Sequence, residues 1–272
     1  MRKSFAKLPS PVLAGVVRQT TTKGAIAQIK NCMYEGAGMI DLHMSCLEDS
    51  SQAELEKIIT STDLPVLALN YNHTYQWGNA GLSEEEREES FLRAVAAGAA
   101  GVDIQGYTYH VPSKSGFCGE DRYSFTKGQP KEVVTDPAII EKQCALIEKI
   151  HQMGAEVLLS CHPGIYMDAQ QVVELALFLQ ERNPDVIKIV TRAENQQQML
   201  ESLKAMVLLK DKVSIPVTYH AAGKAGRLTR VLNPALGGHM AFCVDRFNEG
   251  STMEQADLRT AKGIIEDLRK YL

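Results

Sequence analysis

A (β/α)8 barrel, the TIM-barrel class of α/β fold, is the architecture this sequence predicts, on three observations. Short β-rich apolar runs alternate with longer stretches of helical periodicity, and the alternation repeats about eight times. The 272 residues suit one barrel of this kind. Strands separated by helices need crossover connections and therefore pair in parallel, and eight such units close most simply on themselves. No linker, low-complexity tract or internal repeat divides the chain, so 1–272 is expected to be one domain.

In order, Val12 to Val17 is the first strand; Thr20-Thr21-Thr22 then cap a helix expected from Lys23 to Glu35, closed by Gly36 and Gly38. Strand Met39 to Met44 leads to helix Gln52 to Ile59. Strand Val66 to Asn70 leads to helix Ser83 to Ala97, whose opening Ser83-Glu84-Glu85-Glu86 is a capping-box pattern with acids at the positive end of the helix. The fourth strand is Gly101 to Gln105. The stretch 106–136, rich in Gly, Pro, Ser and aromatic residues, is too long for an ordinary connection and is expected to act as a lid. Helix Pro137 to Met153, strand Glu156 to Cys161, helix Asp168 to Glu181 and strand Val186 to Val190 follow. Helix Glu194 to Leu209, strand Ile215 to His220, a short helix around Arg227 to Leu232, strand Met240 to Val244 and helix Gln255 to Tyr271 complete the pattern.

Composition narrows the partner. Lys and Arg number 29 against 33 Asp and Glu, for a net charge of -4, and no basic block stands out; a nucleic-acid or membrane-surface binder is not expected. No apolar run has the length of a membrane span, and Met1-Arg2-Lys3-Ser4-Phe5 lacks the apolar core of a secretory signal. The six cysteines are scattered without CxxC or metal-finger spacing. The expectation is a cytoplasmic protein with reduced thiols whose partner is a small molecule.

In barrels of this class the working residues come from the C-terminal ends of the strands. The polar residues at those ends are Asp41 and His43, Asn70 to Asn72, Asp103 and Gln105, His162, Lys188 with Arg192, and His220. Lys188 is the most informative, because it interrupts the apolar run Val186-Ile187-Lys188-Ile189-Val190. An ammonium buried without a partner is so unfavourable that it tends to become a neutral amine, a nucleophile toward ketones. The ordinary alternative is a lysine at the strand's mouth that extends to water. His162 ends the preceding strand, and neighbouring strands lie about 4.8 Å apart, so one substrate atom can be reached from both. An amine beside an imidazole is a nucleophile with a proton carrier. Other readings have less behind them. Cys161, His162 and Asp168 could be drawn as metal ligands, but Cys161 should point opposite to His162. Gly237-Gly238 lacks the rest of a phosphate-binding fingerprint, and Cys243 reads as core.

Four segments, Leu159-Ser160-Cys161-His162, Val186-Ile187-Lys188-Ile189, Gly223-Lys224-Ala225-Gly226 with Thr229-Arg230, and Ala256-Asp257-Leu258-Arg259-Thr260, carry a resemblance to type I 3-dehydroquinate dehydratase. The likeness runs nearly end to end. It implies a (β/α)8 lyase of the class I aldolase group, converting 3-dehydroquinate or a related cyclic keto acid through an imine at Lys188, with His162 as acid and base. It also implies that Arg230 holds the substrate carboxylate, that Asp103 shares the pocket, that no metal or organic cofactor is needed, and that a homodimer is to be expected.

The departures are as specific. The family's Glu-x-Arg on strand two reads Asp41-Leu42-His43, its strand-three arginine reads Tyr71, and the following acidic loop reads His73-Thr74-Tyr75-Gln76-Trp77-Gly78-Asn79. The late loop's Ser and Gln align with Asn248 and Thr252 without gaps, or with Ser251 and Gln255 with them; 106–136 is longer than its counterpart. Arg192, on the face of Lys188 by alternation, could supply the charge lost at Tyr71, or could pair with an acid on the rim; His220 stands where the family is apolar. Imine chemistry is therefore expected with a rewritten substrate-reading shell. An aldolase-type reaction on another keto compound and a barrel that binds a metabolite without turnover are the alternatives.

Overall fold

The computed structural model describes residues 3–71, 82–109, 134–247 and 254–271. Eight strands, β1 (Val12–Val17), β2 (Met39–His43), β3 (Val66–Leu69), β4 (Gly101–Gln105), β5 (Glu156–Cys161), β6 (Val186–Arg192), β7 (Val217–Ala222) and β8 (Met240–Cys243), form one parallel sheet in the order β7-β6-β5-β4-β3-β2-β1-β8. The barrel closes between its two end strands, where the His239 N–H donates to the Val217 carbonyl at 2.8 Å and the Met240 N–H to Thr218 Oγ1 at 3.0 Å. Around it run α1 (Thr22–Tyr34), α2 (Gln52–Ile59), α3 (Glu84–Ala96), α4 (Pro137–Gln152), α5 (Ala169–Gln180), α6 (Gln196–Lys212), α7 (Thr229–Ala235) and α8 (Leu258–Arg269).

The differences from the expected boundaries have local causes. β7 starts at Val217 because Pro216 has no N–H for the ladder. β6 runs to Arg192, two residues past the apolar run, because its register with β7 continues to the Arg192–Ala222 pair. α8 begins after Asp257, whose carboxylate accepts from the Thr260 N–H at 2.9 Å, so Gln255 lies before the helix. Three further caps follow the sequence signals: Ser83 and Asp168 each complete a capping box, and Thr21 accepts from the Gly24 N–H.

Alternation along the strands divides the core in two. Leu13, Ile40, Leu42, Val102, Leu159, Ile187 and Ile189 face the helices, whereas Val12, Ala14, Met39, Leu67, Leu158, Val186, Met240 and Phe242 fill the barrel interior. Phe5 seals the N-terminal end of that interior: its N–H donates to Glu156 Oε2 at 2.8 Å, and its carbonyl accepts from His239 Nε2 at 2.9 Å. Gly101 permits this closure. A Cβ there would lie 2.1 Å from the Glu156 carbonyl oxygen and 2.6 Å from the Phe5 ring. Gly101→Ala is accordingly expected to cost about 3 kcal/mol or more, or to prevent folding, read as a lowered urea midpoint.

At the C-terminal end, two buried arginines fasten the chain between β4 and α4. Arg87 donates to the Asn70 carbonyl at 3.1 Å, to Thr108 Oγ1 at 2.8 Å and to Gln105 Oε1. Arg182 donates to the Val134 carbonyl at 2.9 Å and to Gln143 Oε1 at 2.8 Å, and Gln143 in turn donates to the Gly106 and Thr108 carbonyls at 3.0 and 2.9 Å. Most of the 106–136 stretch expected to form a lid lies outside the described residues.

Candidate active site

Strand register sets the geometry around Lys188. Its Cα partners are Ser160 on β5 and Thr218 on β7. His162 and His220 each stand two residues beyond those partners, so alternation turns both toward the side of the barrel that Lys188 faces. All three are buried. The Lys188 ammonium is not isolated: Asp103 Oδ2 lies 3.5 Å away, an ion-pair separation longer than a good hydrogen bond, and Nζ donates to Tyr71 Oη at 3.2 Å. Beneath it the Phe242 ring centroid lies 4.5 Å away. The lysine that the sequence places in an apolar strand thus stands among a carboxylate, a phenol and an aromatic face, and does not extend to water.

Asp103 is itself positioned. Ser160 Oγ donates to its Oδ1 at 2.5 Å, and Gln105 Nε2 approaches the same oxygen at 3.3 Å while Arg87 orients the Gln105 amide. Burial raises the Asp103 pKa; the charge of Lys188 and the Ser160 hydrogen bond oppose that rise. Tyr71 packs edge-on against two imidazoles, with centroids 6.0 Å from His43 and 5.8 Å from His162. His43 Nε2 lies 3.4 Å from Asp41 Oδ2.

Among the described residues, the imidazoles of His43, His162 and His220 at this end of the barrel are held neutral. Burial lowers the His43 pKa to about 4, against the support of Asp41. Burial also pushes His162 and His220 well below the ordinary range, with the cations Lys188 and Arg230 adding to the effect on both. Stability linked to these groups is complete above the unfolded histidine pKa of 6.5 and is lost as the pH falls toward the folded values, because only the unfolded chain then binds the protons. For His43 the window runs from 6.5 down to about 4, on the order of 3 kcal/mol. Asp103, with its pKa raised, opposes this trend. Thermal melts between pH 7 and pH 4 are expected to fall steeply, and His43→Asn to flatten the dependence.

Arg230, on α7, is partly buried, with 13% of its side chain exposed, and pairs with Glu254 Oε2 at 3.3 Å; Glu254 Oε1 accepts from the Gly223 N–H at 2.9 Å. Its Nε and Asp41 Oδ1 have no hydrogen-bond partner among the described residues, leaving one donor and one acceptor for a ligand. Such an array can bind an anionic ketone, form an imine and move a proton at the adjacent carbon.

The sequence-predicted residues divide as follows. Lys188, Asp103, Tyr71, His162, His220, Arg230, Asp41 and His43 gather at one end of the barrel. Arg192 does not join them. Extension of β6 carries it to the rim, where its guanidinium pairs with Glu194 and 42% of the side chain is exposed. Asn70 turns outward and donates to Ser90 on α3 at 2.9 Å, while Asn72, Asn248, Ser251 and Thr252 lie outside the described residues. Cys161 packs in the outer core and Asp168 caps α5, so the conceivable metal set with His162 does not converge.

Four contributors were missed. Ser160 could have been found by stepping back two residues from His162, and Arg18 by applying the strand-end rule to β1. Arg18 senses Asp41, Tyr71 and Arg230, and burial lowers its pKa. Phe242 and Glu254 left no sequence signal.

The family model described as Type I 3-dehydroquinase matches residues 14–269. A curated 3-dehydroquinate dehydratase of Staphylococcus epidermidis is 24% identical over 130 residues, 47% of this chain and 55% of that protein. One of Alkaliphilus oremlandii is 28% identical over 134 residues, 47% and 50% respectively. The chain thus spans about half the length of the curated relatives it matches. Among solved structures, the type I 3-dehydroquinate dehydratase of Clostridium difficile superposes with a TM-score of 0.78 at 14% identity, covering 100% of both chains. The 3-dehydroquinate dehydratase of Geobacillus kaustophilus gives 0.76 at 13%, covering 96% of this chain and 92% of that one. At these identities the structural likeness speaks for the barrel.

Proposed function

Because the chain belongs to the type I 3-dehydroquinase family, we propose that it is a Schiff-base-forming dehydratase, a carbon–oxygen lyase that removes water from 3-dehydroquinate or a related cyclic keto acid. The observation that carries this reading is the buried Lys188 amine at the C-terminal mouth of the barrel, 3.2 Å from Tyr71 and 3.5 Å from Asp103, with a neutral His162 on the next strand.

In this reading Lys188 attacks the ketone, the carbonyl oxygen takes up two protons and leaves as water, and the nitrogen becomes a protonated imine. The iminium draws electrons from the α C–H bond, and His162, free to accept a proton because its surroundings hold it neutral, takes it. The resulting enamine expels the β-hydroxyl, and the imidazolium returns its proton so that water leaves. Hydrolysis of the conjugated imine releases the enone and restores the amine. Asp103 balances the charge at nitrogen, and its anchoring by Ser160 keeps it from collapsing onto the imine. Arg230 meets the substrate carboxylate through its forked donors, with Glu254 fixing its orientation. The imine is the electron sink, so the reading calls for no metal or organic cofactor. Asp41, His43 and His220 stand at the same end of the barrel and are assigned to the substrate's polar groups. A cytoplasmic location and a homodimer belong to the same reading; among the described residues no helix is long and apolar enough to cross a membrane.

The test is incubation with 3-dehydroquinate, followed by the ultraviolet absorbance of the conjugated enone and, in parallel, by borohydride trapping and mass measurement of the Lys188 peptide. Enone formation with a substrate-sized adduct is the expected result. An adduct of a smaller keto compound with no enone would move the assignment to an aldolase-type lyase. Binding without adduct or turnover would leave a metabolite-binding barrel.

A further inference from the structure

We propose that the Tyr71 hydroxyl is a catalytic group of imine formation itself, carrying protons from the Lys188 nitrogen to the ketone oxygen that leaves as water. The inference rests on the imine reading above and adds a residue to it. Lys188 Nζ lies 3.2 Å from Tyr71 Oη, which places the phenol against the reacting nitrogen before any substrate arrives. The ring is 4% exposed and is fixed edge-on between His43 and His162, so the hydroxyl is held in position from two sides.

Proton accounting shows what such a hydroxyl would do. A lysine ammonium carries three hydrogens, the iminium nitrogen keeps one, and the other two must reach the former carbonyl oxygen. In the first transfer nitrogen yields one proton to Tyr71 as the C–N bond forms and Tyr71 gives its own proton to the carbonyl oxygen, producing the N-protonated carbinolamine. In the second, the C–O bond breaks, the nitrogen lone pair forms C=N, and the same exchange delivers the second proton, so that the oxygen departs as water. Tyr71 ends each transfer as a neutral phenol, and no electrons enter or leave.

The surroundings suit that role. Burial, with the charges of Asp103 and Asp41 nearby, raises the phenol pKa well above its ordinary value, so the group does not rest as an anion and must give and take in one event. A phenol has both a donor and lone pairs, which proton transfer through one atom needs; a guanidinium has donors only. His162 then remains available for the α-proton.

The experiment is a rapid-quench time course. Protein and 3-dehydroquinate are mixed, quenched with borohydride, and the reduced adduct on the Lys188 peptide is quantified by mass spectrometry. Tyr71→Phe keeps the ring packing and removes one oxygen; its adduct should appear about 100-fold more slowly, whereas His162→Gln should form adduct near the wild-type rate and stall afterwards. A wild-type rate of adduct formation in Tyr71→Phe overturns the proposal and leaves the imine reading intact. Wild-type protein that forms no adduct overturns both. Should Tyr71→Phe fail to fold, adduct formation by the wild type in mixed light and heavy water decides. A curved, two-proton dependence is the expected result, and no solvent isotope effect overturns the proposal.

Discussion

Replacing Lys188 with alanine is expected to reduce turnover of the keto acid by at least about 10^4-fold and to remove the borohydride-trapped adduct entirely. The size of the effect follows from the chemistry: without the imine there is no electron sink for the α-carbanion. Lys188→Arg should be nearly as inactive, since a guanidinium remains protonated and cannot attack a ketone. A structural effect is a separate matter. Removing the amine leaves Asp103 buried without its cationic neighbour, so a lowered melting temperature is also expected, and the trapped-adduct readout distinguishes the two. Retention of dehydration by Lys188→Ala would exclude the imine mechanism.

His162→Gln is expected to lower turnover about 10^2 to 10^4-fold while the imine still forms. The amide preserves shape and some hydrogen bonding but cannot accept the α-proton. The pH dependence of the wild type provides an independent check. Burial and the cations Lys188 and Arg230 hold the His162 pKa well below 6.5, so this base is already available at neutral pH. Its contribution to kcat/KM should therefore decline only on the acid side, below the range of an ordinary histidine. An acid limb centred on the normal histidine value would assign it to another group.

The alternating strands and helices were legible in the sequence because hydrophobic period and capping residues are local signals; Ser83, Asp168 and Thr21 all cap where their positions suggest. Lys188 and His162 were legible because a polar residue at the end of an apolar strand is conspicuous. Arg230 was reached only through resemblance, since nothing local distinguishes it from other helix arginines. Arg192 shows the limit of alternation. The face was read from spacing, but how far β6 extends depends on its pairing with β7, and that extension carries the guanidinium out to Glu194. Tyr71 was legible as a departure and not as a partner of the amine, a contact made across the barrel by residues 117 positions apart. Arg18 and Ser160 were within reach of rules applied to other strands, whereas Glu254 depends on the path of a loop.

The join between β7 and β8 differs from the other seven in that no ladder pairs the two strands; the His239 N–H bond to Val217 and the Met240 N–H bond to the Thr218 hydroxyl lie across it. Opening of the cylinder at this join is therefore expected to cost less than opening a full ladder, and it would separate residues on either side of the site. Lys188 on β6 and Arg230 on α7 belong to one lip, Phe242 on β8 to the other. A ligand bound among them would bridge the two lips and slow the opening by mass action. Deuterium uptake at the His239 and Met240 amides would then report occupancy of the pocket even in a variant that cannot turn substrate over.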